Sequence, residues 1–337
     1  MFDSPFHRSS IRAVAAVAAV AALGLGVSAC SSGDGSGSAD YSATSDTRVI
    51  STDRGDIAVP VDPQRIAVLS AGLAGYLFTL DAPIAITDTR LLGVTNLDGG
   101  FPPQWADKAE AQGTEELPAG ETLDIEAIAL AHPDLIIGGG QGFSAVLAGE
   151  AYDQLAAIAP TVLIPSSVNT WQGELEAVAD AAGESDKVRG LVEAYEDKVA
   201  EVGAAITAPE LPVAYLLSLS TNEPAFIPPS AALPELLASV GLSADDVLAK
   251  ADDPELYGSG DSFIISNELL SKVGDAPTMF VVPVAGRTLD QLRADPLYAS
   301  LPAFATGEVF ELPATSYRPD YDGVMDTLDR VQQLFTS

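Results

Sequence analysis

Leu123-Asp124-Ile125-Glu126-Ala127-Ile128-Ala129-Leu130-Ala131-His132-Pro133-Asp134-Leu135-Ile136-Ile137 is the stretch that decides the fold. Asp124 can cap a helix carrying Ile125, Ile128 and Ala129, and that helix must end before Pro133. Leu135-Ile136-Ile137 follows with no polar interruption, as a strand buried on both faces of a parallel sheet does. A helix passing through a tight turn into a buried strand is the repeating unit of an α/β domain.

The same grammar extends on both sides. Upstream, Arg48 to Ser51 and Asp56 to Val59 flank Asp53-Arg54-Gly55, which predicts a hairpin. Ile66 to Ser70 reads as a strand, a helix is expected around residues 73 to 80, and Ile84 to Thr87 as the next strand. Residues 97 to 120, rich in Gly, Pro and charge, read as loop with one short helix. Downstream, Tyr152 to Ala159 predicts a helix and Thr161 to Ile164 a strand. The alternation then breaks. A helix from the Thr170 cap to Gly183 is followed by a second, longer one, where Val188, Leu191, Val192, Tyr195, Val199 and Val202 form one apolar stripe before Pro209 and Pro212.

A second α/β series opens at Val213-Ala214-Tyr215-Leu216-Leu217. It continues through a helix at Pro234 to Val240, a helix capped by Ser266, and strands at Thr278 to Val282 and Val309 to Leu312. A helix capped by Asp320 and carrying Val324, Leu328, Val331 and Phe335 closes the chain. The expected fold is α/β: two similar lobes, each around a mainly parallel sheet, joined by one long α-helix. The boundaries read as 1–29 for a lipoprotein signal peptide, 30–47 for a lipidated Cys and tether, 48–183 for the first lobe, 184–208 for the linking helix and 209–337 for the second lobe.

The N-terminal boundary rests on the single cysteine, Cys30. Arg8 and Arg12 precede an apolar run from Ala13 to Val27, and Ser28-Ala29 are the small residues a processing peptidase needs. Val27-Ser28-Ala29-Cys30 resembles a bacterial lipobox, with Val27 where Leu is more usual. Ser31 to Asp40 is a Ser/Gly/Asp tether with no apolar face, so Cys30 has no core to enter. Cleavage leaves roughly 300 residues, more than one core usually serves. No cysteine then remains for a disulfide, and a chain that is 47% apolar can be held by packing. The net charge of −32 repels phosphate backbones and anionic head groups, which argues against nucleic-acid partners and a polybasic membrane patch.

Enzyme readings fail on spacing. In Gly138-Gly139-Gly140-Gln141-Gly142, taking Gly138 and Gly140 as the first two glycines of a dinucleotide fingerprint puts Phe143 where a small residue is required. Gly142-Phe143-Ser144-Ala145-Val146 lacks the last glycine of a nucleophile elbow. His132 is the one histidine left after processing, and it reads as a solvated turn residue. Asp245-Asp246 and Asp252-Asp253 lack the Asp-x-Asp-x-Asp-Gly pattern of a calcium loop. Neither a catalytic residue, a resident metal nor a cofactor is expected.

Several segments together resemble the substrate-binding proteins of iron-siderophore ABC transporters, the type with a rigid helical linker. The likeness is carried by Pro63-Gln64-Arg65-Ile66-Ala67-Val68-Leu69, the Leu123 to Ile137 segment, and Ile158-Ala159-Pro160-Thr161-Val162. It continues through Ile265 to Leu270, Asp295-Pro296-Leu297, Leu301-Pro302-Ala303 and Gly307-Glu308-Val309-Phe310, covering about residues 48 to 336. The resemblance implies a lipid-anchored, extracytoplasmic, monomeric protein that takes a ferric siderophore between its lobes and hands it to an ABC permease dimer. Haem or a corrinoid such as cobalamin is the alternative ligand, and a cell-surface protein-interaction module the alternative role. Many relatives carry a surface Glu for the permease after the first strand. Here Gly75 falls at that place, the matching position in the second lobe falls near Ser230, and Glu235 is the acid nearby.

In open α/β sheets the ligand lies beyond the carboxyl ends of the strands. That rule selects Ser70 to Gly72, Asp88 to Arg90, Gly138 to Phe143 and Ser166 to Trp171 in the first lobe. In the second it selects Ser220 to Asn222, Tyr257 to Gly260, Ala285 to Arg287 and Thr315 to Arg318. Arg90, Arg287 and Arg318 all fall in these loops of a chain poor in basic residues, and a guanidinium fork suits the anionic oxygens of a ferric chelate. Phe143, Trp171, Tyr257 and Tyr317 are the expected aromatic contacts.

Overall fold

A computed structural model of the protein describes residues 46–92, 100–221, 223–257 and 260–336, all within one compact unit, Thr44–Ser337. The expected signal peptide, Cys30 and the tether up to residue 45 lie outside the described residues, as do parts of the 97–120, Ser220–Asn222 and Tyr257–Gly260 segments.

Thr47–Thr52 (β1) and Gly55–Pro60 (β2) form the antiparallel hairpin, with Gly55 at φ 105° in the turn. Next come Ile66–Val68 (β3), Ile84–Thr87 (β4), Glu115–Glu116 (β5), Leu135–Gly139 (β6) and Thr161–Ile164 (β7). They form a wholly parallel sheet in the order β5-β4-β3-β6-β7. The remaining strands are Val213–Leu219 (β8), Pro224–Phe226 (β9), Phe263–Ile264 (β10), Thr278–Val284 (β11) and Val309–Glu311 (β12). Their order is β10-β9-β8-β11-β12, with β8, β11 and β12 parallel and the β9 and β10 pairings antiparallel. The first sheet is therefore complete before the second begins.

Between the sheets lie the helices Trp171–Ala182 and Ser185–Ala205. Thr170 caps the first through the Gly173 amide at 3.2 Å, and Gly183, at φ 81°, ends it in the left-handed region. The C-terminal helix, Tyr321–Phe335, is capped by Asp320, which accepts from the Gly323 amide at 2.8 Å. It packs on the long helix and on Ala71–Thr79, the helix after β3. One hydrophobic core accordingly runs from Leu73 and Tyr76 through Leu175, Val202 and Val213 to Val324 and Leu328. A shared core resists shearing the lobes apart, because close-packed interiors shift between discrete arrangements and do not deform smoothly.

Local expectations differ from what is found in several places, among them the helix expected over Tyr152 to Ala159, which ends at Ala156. Ser266 does not cap a helix: residues 267 to 269 are turn, and a single helical turn, Leu270–Val273, starts from Leu269. A helix not expected from the sequence, Phe143–Glu150, follows the glycine turn after β6.

Candidate ligand-binding cleft

The carboxyl ends of β3 and β6 diverge at the point where the strand order reverses, and the loops leaving them line one wall of a cavity of about 770 Å3. Ser70 to Leu73 and Gln141 to Ser144 supply that wall, Asp88 to Leu92 and Asn169 to Gln172 its flanks, and Ala314 to Asp320 faces it from the second lobe. Gly139, Gly140 and Gly142 all have positive φ, and Gly139 lies so close to Ile164 that a Cβ there would come within 2.3 Å of its carbonyl oxygen. The glycine run thus serves a tight strand exit, which explains why it mimics a dinucleotide fingerprint without its spacing.

Of the residues singled out from sequence, Arg90, Phe143, Trp171, Tyr317 and Arg318 line this cavity. Arg90 is braced by Asp88, with Nε donating to Oδ1 at 2.9 Å and Nη2 to Oδ2 at 2.5 Å. Arg318 mirrors it across the cleft: Nε donates to Asp261 Oδ2 at 2.5 Å and Nη2 to Oδ1 at 3.1 Å. Its Nη1 has no hydrogen bond among the described residues and sits where a Cβ on Gly142 would be 3.8 Å away, so this second-lobe arginine reaches the first lobe's glycine turn. Tyr317 is buried, its hydroxyl donating to Asp261 at 2.8 Å. Burial pushes that phenol up to about 12, so it stays protonated. Phe143 is 61% exposed on the rim, and Trp171 is buried, edge-on to Tyr195 at 4.8 Å.

Arg287 and Tyr257 are not brought to this wall. Arg287 donates to Asp295 Oδ2 at 2.6 Å and lies over the Tyr298 ring at 4.8 Å, a pairing inside its own lobe. Tyr257 is 67% exposed beside a bridge to Ser262. Gly75 is buried beneath Asp320, whose carboxylate fills the space a Cβ would need, so no surface acid could occupy that position. Ser230 and Glu235 lie on the cleft wall itself.

Sequence reasoning passed over Tyr76, Glu174 and Asp320, which form the floor. The Tyr76 hydroxyl donates to Glu174 Oε2 at 3.1 Å. Burial pushes the carboxyls of Glu174 and Asp320 up to about 7 each. Asp320 could be found from sequence only as a helix cap, and Glu174 only as a first-turn acid. Among the described residues no group of His, Cys, Asp and Glu is arranged to hold a metal ion.

This two-walled cleft, fed by strand ends of both sheets, is the architecture of a capture protein, and residues 66–315 match the family model described as "Periplasmic binding protein". The chain belongs to that family. It is an extracytoplasmic binding protein with no catalytic role, in line with the failed enzyme motifs. It is 29% identical over 303 residues to the ferric enterobactin-binding periplasmic protein FepB of Escherichia coli, covering 89% of this chain and 94% of that one. Over 179 residues it is 30% identical to the probable siderophore-binding lipoprotein YfiY of Bacillus subtilis, covering 52% of this chain and 50% of the relative. The crystal structure of holo-ViuP superposes with a TM-score of 0.72 at 23% identity, covering 86% of this chain and 95% of that one, which shows the shared fold. Among the described residues no helix is long and apolar enough to cross a membrane.

Proposed function

We propose that this protein captures a ferric siderophore in the interlobe cleft and delivers it to an ABC permease dimer for iron uptake, held at the outer face of the membrane by a lipid on Cys30. The observation that carries this is the pair of braced arginines, Arg90 and Arg318, set on opposite lobes of a cavity of about 770 Å3 that aromatic side chains also line. A carboxylate behind each guanidinium fixes its plane, so little side-chain entropy is lost when Arg318 Nη1, or Arg90 Nη1 in place of its long 3.4 Å bond to the Gly120 carbonyl, meets anionic oxygens on a metal chelate. The name of the FepB relative, which covers nearly the whole chain, supports ferric chelates as the ligand class. Trp171, Tyr317 and the exposed Phe143 offer flat apolar contact to the organic shell of such a chelate.

The ligand's iron is cargo, held by the siderophore's own oxygens, so the protein needs no metal ligands of its own. The test is co-elution: ferric enterobactin mixed with the protein should travel with it through a sizing column, while haem and cobalamin should separate. Haem or cobalamin travelling with the protein while every ferric chelate separates would replace this reading.

A further inference from the structure

The cleft carries more acid than its arginines need. Asp88 and Asp261 are each consumed by one guanidinium, yet Glu174, Asp320 and Glu235 also line the cavity, and no lysine or arginine lies within 4 Å of any of them among the described residues. Their situations differ. Glu235 is exposed, and Asp320 spends one oxygen on the Gly323 amide and presses the other against Gly75. Glu174 is half-buried and has an oxygen to spare: Tyr76 holds Oε2, and Oε1 has no partner among the described residues. Burial raises its pKa and the nearby Asp320 charge adds to this, while the Tyr76 hydrogen bond and the Arg318 charge oppose it without an ion pair forming.

Aromatic side chains line the same cavity. Trp171 lies three residues before Glu174 on the same helix face, Tyr195 stands edge-on to Trp171 at 4.8 Å, and all three line the cavity together with Tyr76. A carboxylate in a cavity lined by aromatic side chains suits a protonated amine, which a ring face attracts and a carboxylate pairs.

We infer that Glu174, framed by Tyr76, Trp171 and Tyr195, is a specificity subsite for a protonated amine arm on the ferric chelate. This deepens, and rests on, the proposal that the cleft takes ferric siderophores. The anionic oxygens around the iron face Arg90 and Arg318, and the cationic arm reaches the floor, which accounts for a cleft that is net acidic around two fixed arginines.

Matched chelates test it by isothermal titration of the full chain. One pair is ferrioxamine B, with its terminal ammonium, and the N-acetylated form. The second is a ferric tris-catecholate bearing a lysine arm and its acetylated form, with ferric enterobactin as the amine-free reference. Acetylation should weaken binding of at least one pair tenfold or more, and Glu174→Gln should shrink that ratio towards one. An effect of acetylation short of tenfold on every pair that binds overturns the inference. So does a protein that takes ferric enterobactin and rejects both amine-bearing chelates. Rejection of all five chelates would instead overturn the ferric-siderophore reading beneath it, a distinct result. Because the parent protein alone reports the acetylation ratio, the outcome does not depend on the variant folding.

Discussion

Gly75→Ala should destabilise the protein only while Asp320 is present. The methyl would lie 1.7 Å from Asp320 Oδ2 and 2.9 Å from its Cγ, so the carboxylate must swing out of its place. That movement breaks the cap on Tyr321–Phe335, worth about 1 kcal/mol, and crowds a packed seam between the lobes, worth about 1–3 kcal/mol. Against this, alanine in place of glycine inside Ala71–Thr79 gains about 1 kcal/mol of helix propensity. The expected net loss is about 1–3 kcal/mol. In an Asp320→Ala background the obstacle is gone and only the propensity gain remains, so the same change should be neutral or stabilising by up to about 1 kcal/mol. The assay is urea unfolding of the four proteins of the double-mutant cycle, with coupling of about 1–4 kcal/mol expected. Additivity within about 0.5 kcal/mol would refute the reasoning, because it would mean that the helix after β3 and the final cap do not share this space.

Three further outcomes follow from the same geometry. Glu174 and Asp320 titrate near 7 when folded, against 4.5 and 3.8 otherwise, so the folded state binds their protons more tightly. Their contribution to stability is complete below about pH 4 and is lost as pH rises to about 7, and Glu174→Gln should flatten that part of a melting-temperature profile. A profile of unchanged slope would count against the buried floor. Arg318→Ala should weaken ferric-chelate affinity about tenfold to a hundredfold in equilibrium titrations, since it removes a charge-assisted contact and leaves Asp261 unpaired; unchanged affinity would remove Arg318 from the site. Phe280→Ala should cost about 3–5 kcal/mol by chemical denaturation, because its fully buried ring stacks on Tyr215 at 5.8 Å and meets Phe335 at 6.0 Å; a loss under about 1 kcal/mol would contradict that packing.

Much of the fold was legible because its signals are local. Asp124, Thr170 and Asp320 each bond the amide three residues on, and Gly183 stops its helix, as their positions before and after apolar runs indicated. Leu135 to Ile137 and Thr278 to Val282 are buried strands because nothing polar interrupts them. Phe143–Glu150 escaped notice because it starts inside a glycine turn and its residues show no apolar stripe.

The cleft was legible by position and not by direction. The strand-end rule placed Arg90, Arg287 and Arg318 alike, but which way each side chain points depends on partners distant in sequence or shared with other roles. Arg318 pairs with Asp261, far back in the chain, whereas Asp295 both caps the helix at Pro296–Ala299 and takes Arg287 into its own lobe. The floor depends on two lobes meeting, so Tyr76, Glu174 and Asp320, far apart in sequence, left no joint trace there.

The central claim is that the ligand sits between the lobes, and the two tryptophans can test it. Trp171 lines the cleft, whereas Trp105 is buried against Phe78 at 4.7 Å. Titrating ferric enterobactin into Trp105→Phe and Trp171→Phe variants, with inner-filter controls, separates the two reporters. Saturable quenching kept in Trp105→Phe and largely lost in Trp171→Phe is the predicted result. Equal quenching in both variants, or none in Trp105→Phe, would contradict binding in the cleft.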